Sequence, residues 1–147
     1  MSQTPIVVTH TFDANIADVW HAISDDKTMR QWFFEQIPGF APVVGTETVF
    51  DVHHNNKVYT HRWQVTEVAP ESLLVYSWQY DGYPGDSEVR WELESKGTGT
   101  QLTLTHSGGE TFPQDNPDFS RESAEAGWQY LIKESLADYL EQNSQTK

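Results

Sequence analysis

The sequence contains no cysteine, which excludes disulfides, a thiolate nucleophile and cysteine-ligated zinc. Positive charge is scarce: 9 Lys and Arg stand against 22 Asp and Glu, a net charge of −13. Such a field repels nucleic acid and anionic membrane surfaces, because phosphate binding requires clustered Lys and Arg. No apolar run approaches the roughly 18 residues of a membrane span, and the opening MSQTPIVVTH lacks the basic and apolar regions of a signal peptide. HExxH, an EF-hand loop, a GxSxG elbow and a glycine-rich phosphate loop are all missing. His53 and His54 are adjacent on a strand and therefore point to opposite faces, so they do not converge on one ion. The expectation is a cytoplasmic protein without a metal, a cofactor, a nucleic-acid partner or membrane insertion.

Aromatic residues are plentiful. Six Trp, seven Phe and six Tyr make up 13% of the chain, which argues against disorder. A chain of about 150 residues buries roughly 68–70% of its unfolded surface, enough for a self-sufficient core. No repeat, linker or low-complexity tract divides the sequence, so residues 1–147 are expected to form a single domain with a polar tail fraying after Glu141.

Hydrophobic periodicity sets the element order. Residues 5–12 read as a strand, rich in β-branched side chains. Ile16, Val19, Trp20 and Ile23 share one helical face behind Asp13 or Asn15 as cap; Met29, Trp32 and Phe33 mark a second short helix capped by Ser24 or Asp25. From Thr46 to Ser107 the period is that of strands, with turns near Asn55-Asn56, Pro70-Glu71-Ser72, residues 81–85 and 96–99. Val89, Trp91 and Leu93 alternate with charged residues, and Leu102, Leu104 and His106 alternate with threonines, as in an antiparallel sheet buried on one face. Asn116 and Pro117 are expected to open a final helix running to Glu141, with Trp128, Leu131, Ile132, Leu136 and Leu140 on its apolar stripe. Such a stripe must be buried, and the inner face of a curved sheet is the surface available.

Four stretches carry a family resemblance over nearly the whole chain: TFDANIADVWHAISDDKTMRQWF, VTEVAPESLLVYSW, GTGTQLTLTHSG and GWQYLIKESLADYLE. In this order they resemble the activator-of-heat-shock-protein-90-ATPase-like family, within the START-like or birch-pollen-allergen-like superfamily. The resemblance implies an α+β helix-grip fold: a curved antiparallel sheet of about six strands around a long C-terminal helix, with two short helices after the first strand. It also implies a hydrophobic cavity between sheet and helix. Three functions follow as expectations: binding of an apolar or aromatic small molecule, a chaperone-associated interaction module, or a polyketide cyclase-like enzyme. The chain could act as a monomer or as a homodimer.

Residues expected to face such a cavity come from several elements. Strand alternation turns Trp91, Leu93, Leu104 and His106 inward, and Tyr76 and Trp78 share a face with Leu74. Trp128 and Leu131 lie on the inner stripe of the last helix, and Trp32 and Phe33 close the second short helix. The same rings would serve equally as core filling. Gly127, inside a helical pattern, would either open the cavity or permit close packing or a kink. His106 and Arg62 are the candidates for proton transfer or for gripping a polar ligand group; the alternatives are a rim histidine and an arginine paired with surface carboxylates. The acidic run Glu110, Asp115, Asp118, Glu122 and Glu125 reads as a solvated face rather than a catalytic pair.

Overall fold

Two short helices follow the first strand because polar side chains stop and start them in close succession. The structure, a computed structural model, describes residues 5–54, 56–113 and 115–144. Strand β1 (Ile6–Phe12) leads into α1 (Ile16–Ser24), whose N-cap Asn15 accepts a hydrogen bond from Asp18 N–H at 2.8 Å. Asp25 then ends α1 through its own N–H to His21 O, and starts α2 (Asp26–Trp32) by accepting from Thr28 N–H at 3.0 Å. Trp32 is the last residue of α2, and Phe33 is its C-cap.

Five further strands follow: β2 (Glu47–His54), β3 (Lys57–Ala69), β4 (Leu73–Tyr80), β5 (Ser87–Lys96) and β6 (Gly99–Ser107). All pair antiparallel in the order β1-β6-β5-β4-β3-β2, so the meander closes with β1 added beside β6. A bulge at Thr66 shifts the register between β3 and β4, and bulges bend a strand locally. The expected fold class, an α+β helix grip with six strands and a long C-terminal helix, is the observed one. Asn56, in the β2–β3 turn, has φ 62°; Asn55, its expected partner there, lies outside the described residues.

The C-terminal helix departs from the sequence expectation in two ways. Asn116 and Pro117 begin only a 3₁₀ turn (Pro117–Phe119), and the helix proper starts one step later, with Ser120 accepting from Ser123 N–H at 3.2 Å. It then runs as α3 (Arg121–Tyr130), a π-helical segment (Leu131–Leu136) and α4 (Ala137–Ser144). Gln142 to Ser144 are therefore helical, and the remainder of the expected frayed tail, 145–147, lies outside the described residues. The π segment has a geometric reason. Trp128, Ile132, Leu136 and Leu140 are all buried, a spacing of four residues. At about 3.6 residues per turn such a row drifts by about 40° at each step, and a wider turn cancels the drift. Ser135 Oγ donates to Trp32 O at 2.5 Å and ties this segment to the end of α2.

The core fills the space between sheet and helices with large rings, Trp63, Trp91 and Tyr76 among the fully buried. Two of its indoles are answered: Trp32 Nε1–H donates to Ala22 O at 2.7 Å, and Trp91 Nε1–H to Tyr76 Oη at 3.0 Å, whereas the buried Nε1 atoms of Trp63 and Trp78 have no partner among the described residues. Thr100, fully buried at the start of β6, donates to Ala14 O at 2.8 Å and anchors the entry to α1. Thr100→Val keeps the shape and strands that carbonyl, so it is expected to cost about 1–3 kcal/mol in urea denaturation.

Candidate functional site

A cavity of about 230 Å³ lies between the sheet and the first turns of the C-terminal helix. Its sheet wall comes from β3 and β4 (His61, Trp78, Tyr80) and from His106 of β6, and its helix wall from Ala124, Gly127, Trp128 and Leu131. The third side is a strap, residues 108–113 and 115–120, which brings Phe112 and Phe119 against Tyr59, Tyr80 and Tyr83. Glycine is required where the strap crosses the β4–β5 loop. Gly108 has φ +90°, and a Cβ there would stand 2.6 Å from Asp86 O; Gly85 has φ +119°, and its Cβ would meet Phe112 at 2.6 Å. The far end of the strap is held by Asp118, whose carboxylate accepts from Tyr59 Oη–H at 2.5 Å, with Asn116 Nδ2–H donating to the same hydroxyl at 3.1 Å. Burial, and then the bond to Asp118, raise the Tyr59 pKa. His54 Nε2 lies 3.5 Å from the second oxygen of Asp118.

The helix wall is fixed by a chain of directed hydrogen bonds. Trp128 Nε1–H donates to His106 Nδ1 at 3.0 Å, so that nitrogen must carry the lone pair. The proton therefore sits on Nε2, which donates to Ser87 Oγ at 2.9 Å, and Ser87 donates in turn to Trp78 O at 2.7 Å. Burial pushes the His106 pKa down to about 4, keeping the ring neutral and the chain intact. His106 thus has both nitrogens engaged by protein; its partners are side chains rather than the backbone or water expected of a rim histidine. His61 is likewise driven down to about 4 by burial, and its Nδ1–H donates to Tyr59 O at 3.1 Å.

The expected site residues divide by their height along the sheet. Trp78, His106, Trp128 and Leu131 line the cavity. Trp32, Phe33, Tyr76, Trp91, Leu93 and Leu104 point inward as alternation and helical spacing require, but they pack as buried core away from the cavity wall. Arg62 lies on the opposite face of the sheet, with both arms on the Asp81 carboxylate at 2.9 and 3.0 Å and Nη1 3.2 Å from Glu47. Those bonds raise its pKa and hold that of Asp81 low. Gly127 shows no close packing, since a Cβ there would meet nothing within 4 Å. Among the acidic run, Asp118 and Glu110 line the cavity instead of standing only in solvent. His61, Tyr80, Phe34, Phe112 and Phe119 are wall residues that the sequence did not assign to the cavity. Alternation with Trp63 could have pointed His61 inward, but no periodicity places the strap residues.

The sequence matches the model of the family described as "Activator of Hsp90 ATPase homolog 1-like protein" over residues 13–141. Comparison with the curated proteins found no match. Among solved structures, protein CV1439 from Chromobacterium violaceum superposes with a TM-score of 0.79 at 20% identity, covering 94% of this chain and 97% of that one. Mll3558 from Rhizobium loti gives 0.80 at 23% identity, covering 93% and 96%. DynU16, a protein in the dynemicin biosynthetic locus, gives 0.74 at 24% identity, covering 95% of this chain and 48% of its own. These likenesses show a shared helix-grip fold. Among the described residues no helix is long and apolar enough to cross a membrane.

The buried histidines make stability pH-dependent. Both titrate near 6.5 when exposed but near 4 in the fold, so between those values the unfolded chain binds more protons than the native one. Their contribution is complete above about pH 6.5 and declines as the pH falls toward 4, by up to about 3 kcal/mol for each ring. Urea denaturation across this interval is expected to show that decline. In His106→Gln, which can still accept from Trp128, the slope should be visibly shallower.

Proposed function

The chain belongs to the Activator of Hsp90 ATPase homolog 1-like family, and from that premise we propose that it binds an apolar or aromatic small molecule in the cavity between sheet and C-terminal helix. The observation that carries this reading is Gly127. A glycine inside a helix costs about 1 kcal/mol relative to alanine, and here nothing forbids the alanine: the space beside Gly127 is open and belongs to the cavity. An unfilled apolar void costs stability as well, through lost contacts along its lining. Both costs are offset if the space is occupied by a ligand.

The dimensions and lining agree. An engineered apolar cavity of about 150 Å³ takes up benzene, so about 230 Å³ has room for a larger apolar group. The rings of Trp78, Trp128, Phe34, Phe112 and Phe119 provide faces and edges for stacking. Binding ranks ahead of a cyclase-like reaction because His106 is bonded at both nitrogens and Arg62 is paired on the far face of the sheet. DynU16's place in a biosynthetic locus is in keeping with a fold that handles small molecules.

Tryptophan emission during titration with fatty acids and fused-ring aromatics tests the reading, since Trp78 and Trp128 form part of the wall. Saturable shifts are expected for the native protein. Gly127→Leu, which fills the open space, should abolish them while leaving circular dichroism unchanged. Gly127→Ala should raise stability by up to about 1 kcal/mol. A flat response of the native protein across the panel would overturn the proposal.

A further inference from the structure

His61 and Tyr80, paired across β3 and β4, both line the cavity, and each has a polar atom with no hydrogen-bond partner among the described residues. The first is His61 Nε2. A carbonyl only accepts, so the contact between His61 Nδ1 and Tyr59 O at 3.1 Å puts the ring proton on Nδ1. Nε2 is then a bare acceptor, and no donor among the described residues reaches it. The second is the Tyr80 hydroxyl, whose ring meets that of His61 edge to face at 4.8 Å. Trp78 Nε1–H comes near enough for Tyr80 to feel it without reaching hydrogen-bond geometry, which leaves the hydroxyl proton free to donate elsewhere. Both residues line the cavity, and neither hydrogen-bonds to the other.

Burial keeps both groups neutral: it pushes Tyr80 up to about 12 and His61 down to about 4. An acceptor and a donor on side chains that face each other across two strands form a specific demand in an aromatic pocket, because few polar ligand groups can answer both. A ketone or an ether can accept from Tyr80 but cannot donate to His61. A carboxylate cannot donate either. A hydroxyl does both at once, giving its proton to Nε2 and accepting from Tyr80.

Resting on the small-molecule reading above, we propose that the ligand is an aromatic compound bearing a free hydroxyl, read by His61 and Tyr80 as an acceptor–donor pair. The hydroxyl enters at the β3–β4 wall, and its ring lies among Phe34, Trp78 and Trp128. Recognition of this kind discriminates more strongly than an apolar pocket does, because the analogue without the hydroxyl displaces water from both groups and returns no hydrogen bond.

Equilibrium dialysis of the full chain against 2-naphthol, 2-methoxynaphthalene and naphthalene tests the inference. 2-Naphthol is expected to bind about tenfold more tightly than either of the others. That preference should collapse in Tyr80→Phe, which removes one oxygen and keeps the ring, and in His61→Phe. The ¹⁵N resonance of His61 Nε2 should also move upfield when 2-naphthol is added, as an unprotonated imidazole nitrogen does on accepting a hydrogen bond. Equal affinity for all three compounds would overturn the inference and leave the apolar site standing. Failure of all three to bind would overturn both.

Discussion

An indole on a helix and an imidazole on a strand can be buried together only if their polar atoms meet, and here that meeting sets the height of the helix above the sheet. Trp128 donates to His106, His106 to Ser87, and Ser87 to the backbone of β4. Every link has one possible direction, because an indole only donates and a carbonyl only accepts. The chain spans helix, β6, β5 and β4, so it joins the layers as well as satisfying them. The cavity is what that spacing leaves between the helix and the β3–β4 end of the sheet.

The strap completes the enclosure by a different principle. Its apolar residues, Phe112 and Phe119, form a small cluster with Tyr59, separate from the main core and bridged to it through Tyr80. A peripheral cluster of this kind has little area to bury, and a directional bond fixes what apolar contact leaves loose. The Tyr59–Asp118 pair provides it. The bond to Tyr59 also explains why Asp118, a member of the acidic run, faces inward.

Much of the fold was legible because it rests on local periodicities. Alternation of Val89, Trp91 and Leu93 against charged residues, and of Leu102, Leu104 and His106 against threonines, gives strand, face and direction together. The cavity was less legible, for a physical reason. Periodicity tells which way a side chain points but not how far along the sheet it stands from the strap. Trp91 and Trp78 both point inward, yet the first is buried with its indole N–H on Tyr76 and only the second reaches the open space. Phe112 and Phe119 sit in 3₁₀ turns and connecting chain, where sequence has no period to read. Asn116 and Pro117 resemble a helix start because they are one, for a single turn; Ser120 then begins the longer helix.

The π-helical segment has a consequence for how this helix tolerates changes of length. Helices are ordinarily thought to resist insertions and deletions because each one turns every later residue by about 100°. Here the extra width at Leu131–Leu136 already absorbs the phase difference between Trp128, held by His106, and Leu140, packed on the core. Removing one residue from that stretch would restore regular winding and still misplace the protein, since one half of the helix would have to turn away from its partners. The chain's residue count between the two anchors is thus a structural parameter in its own right, independent of which side chains fill it.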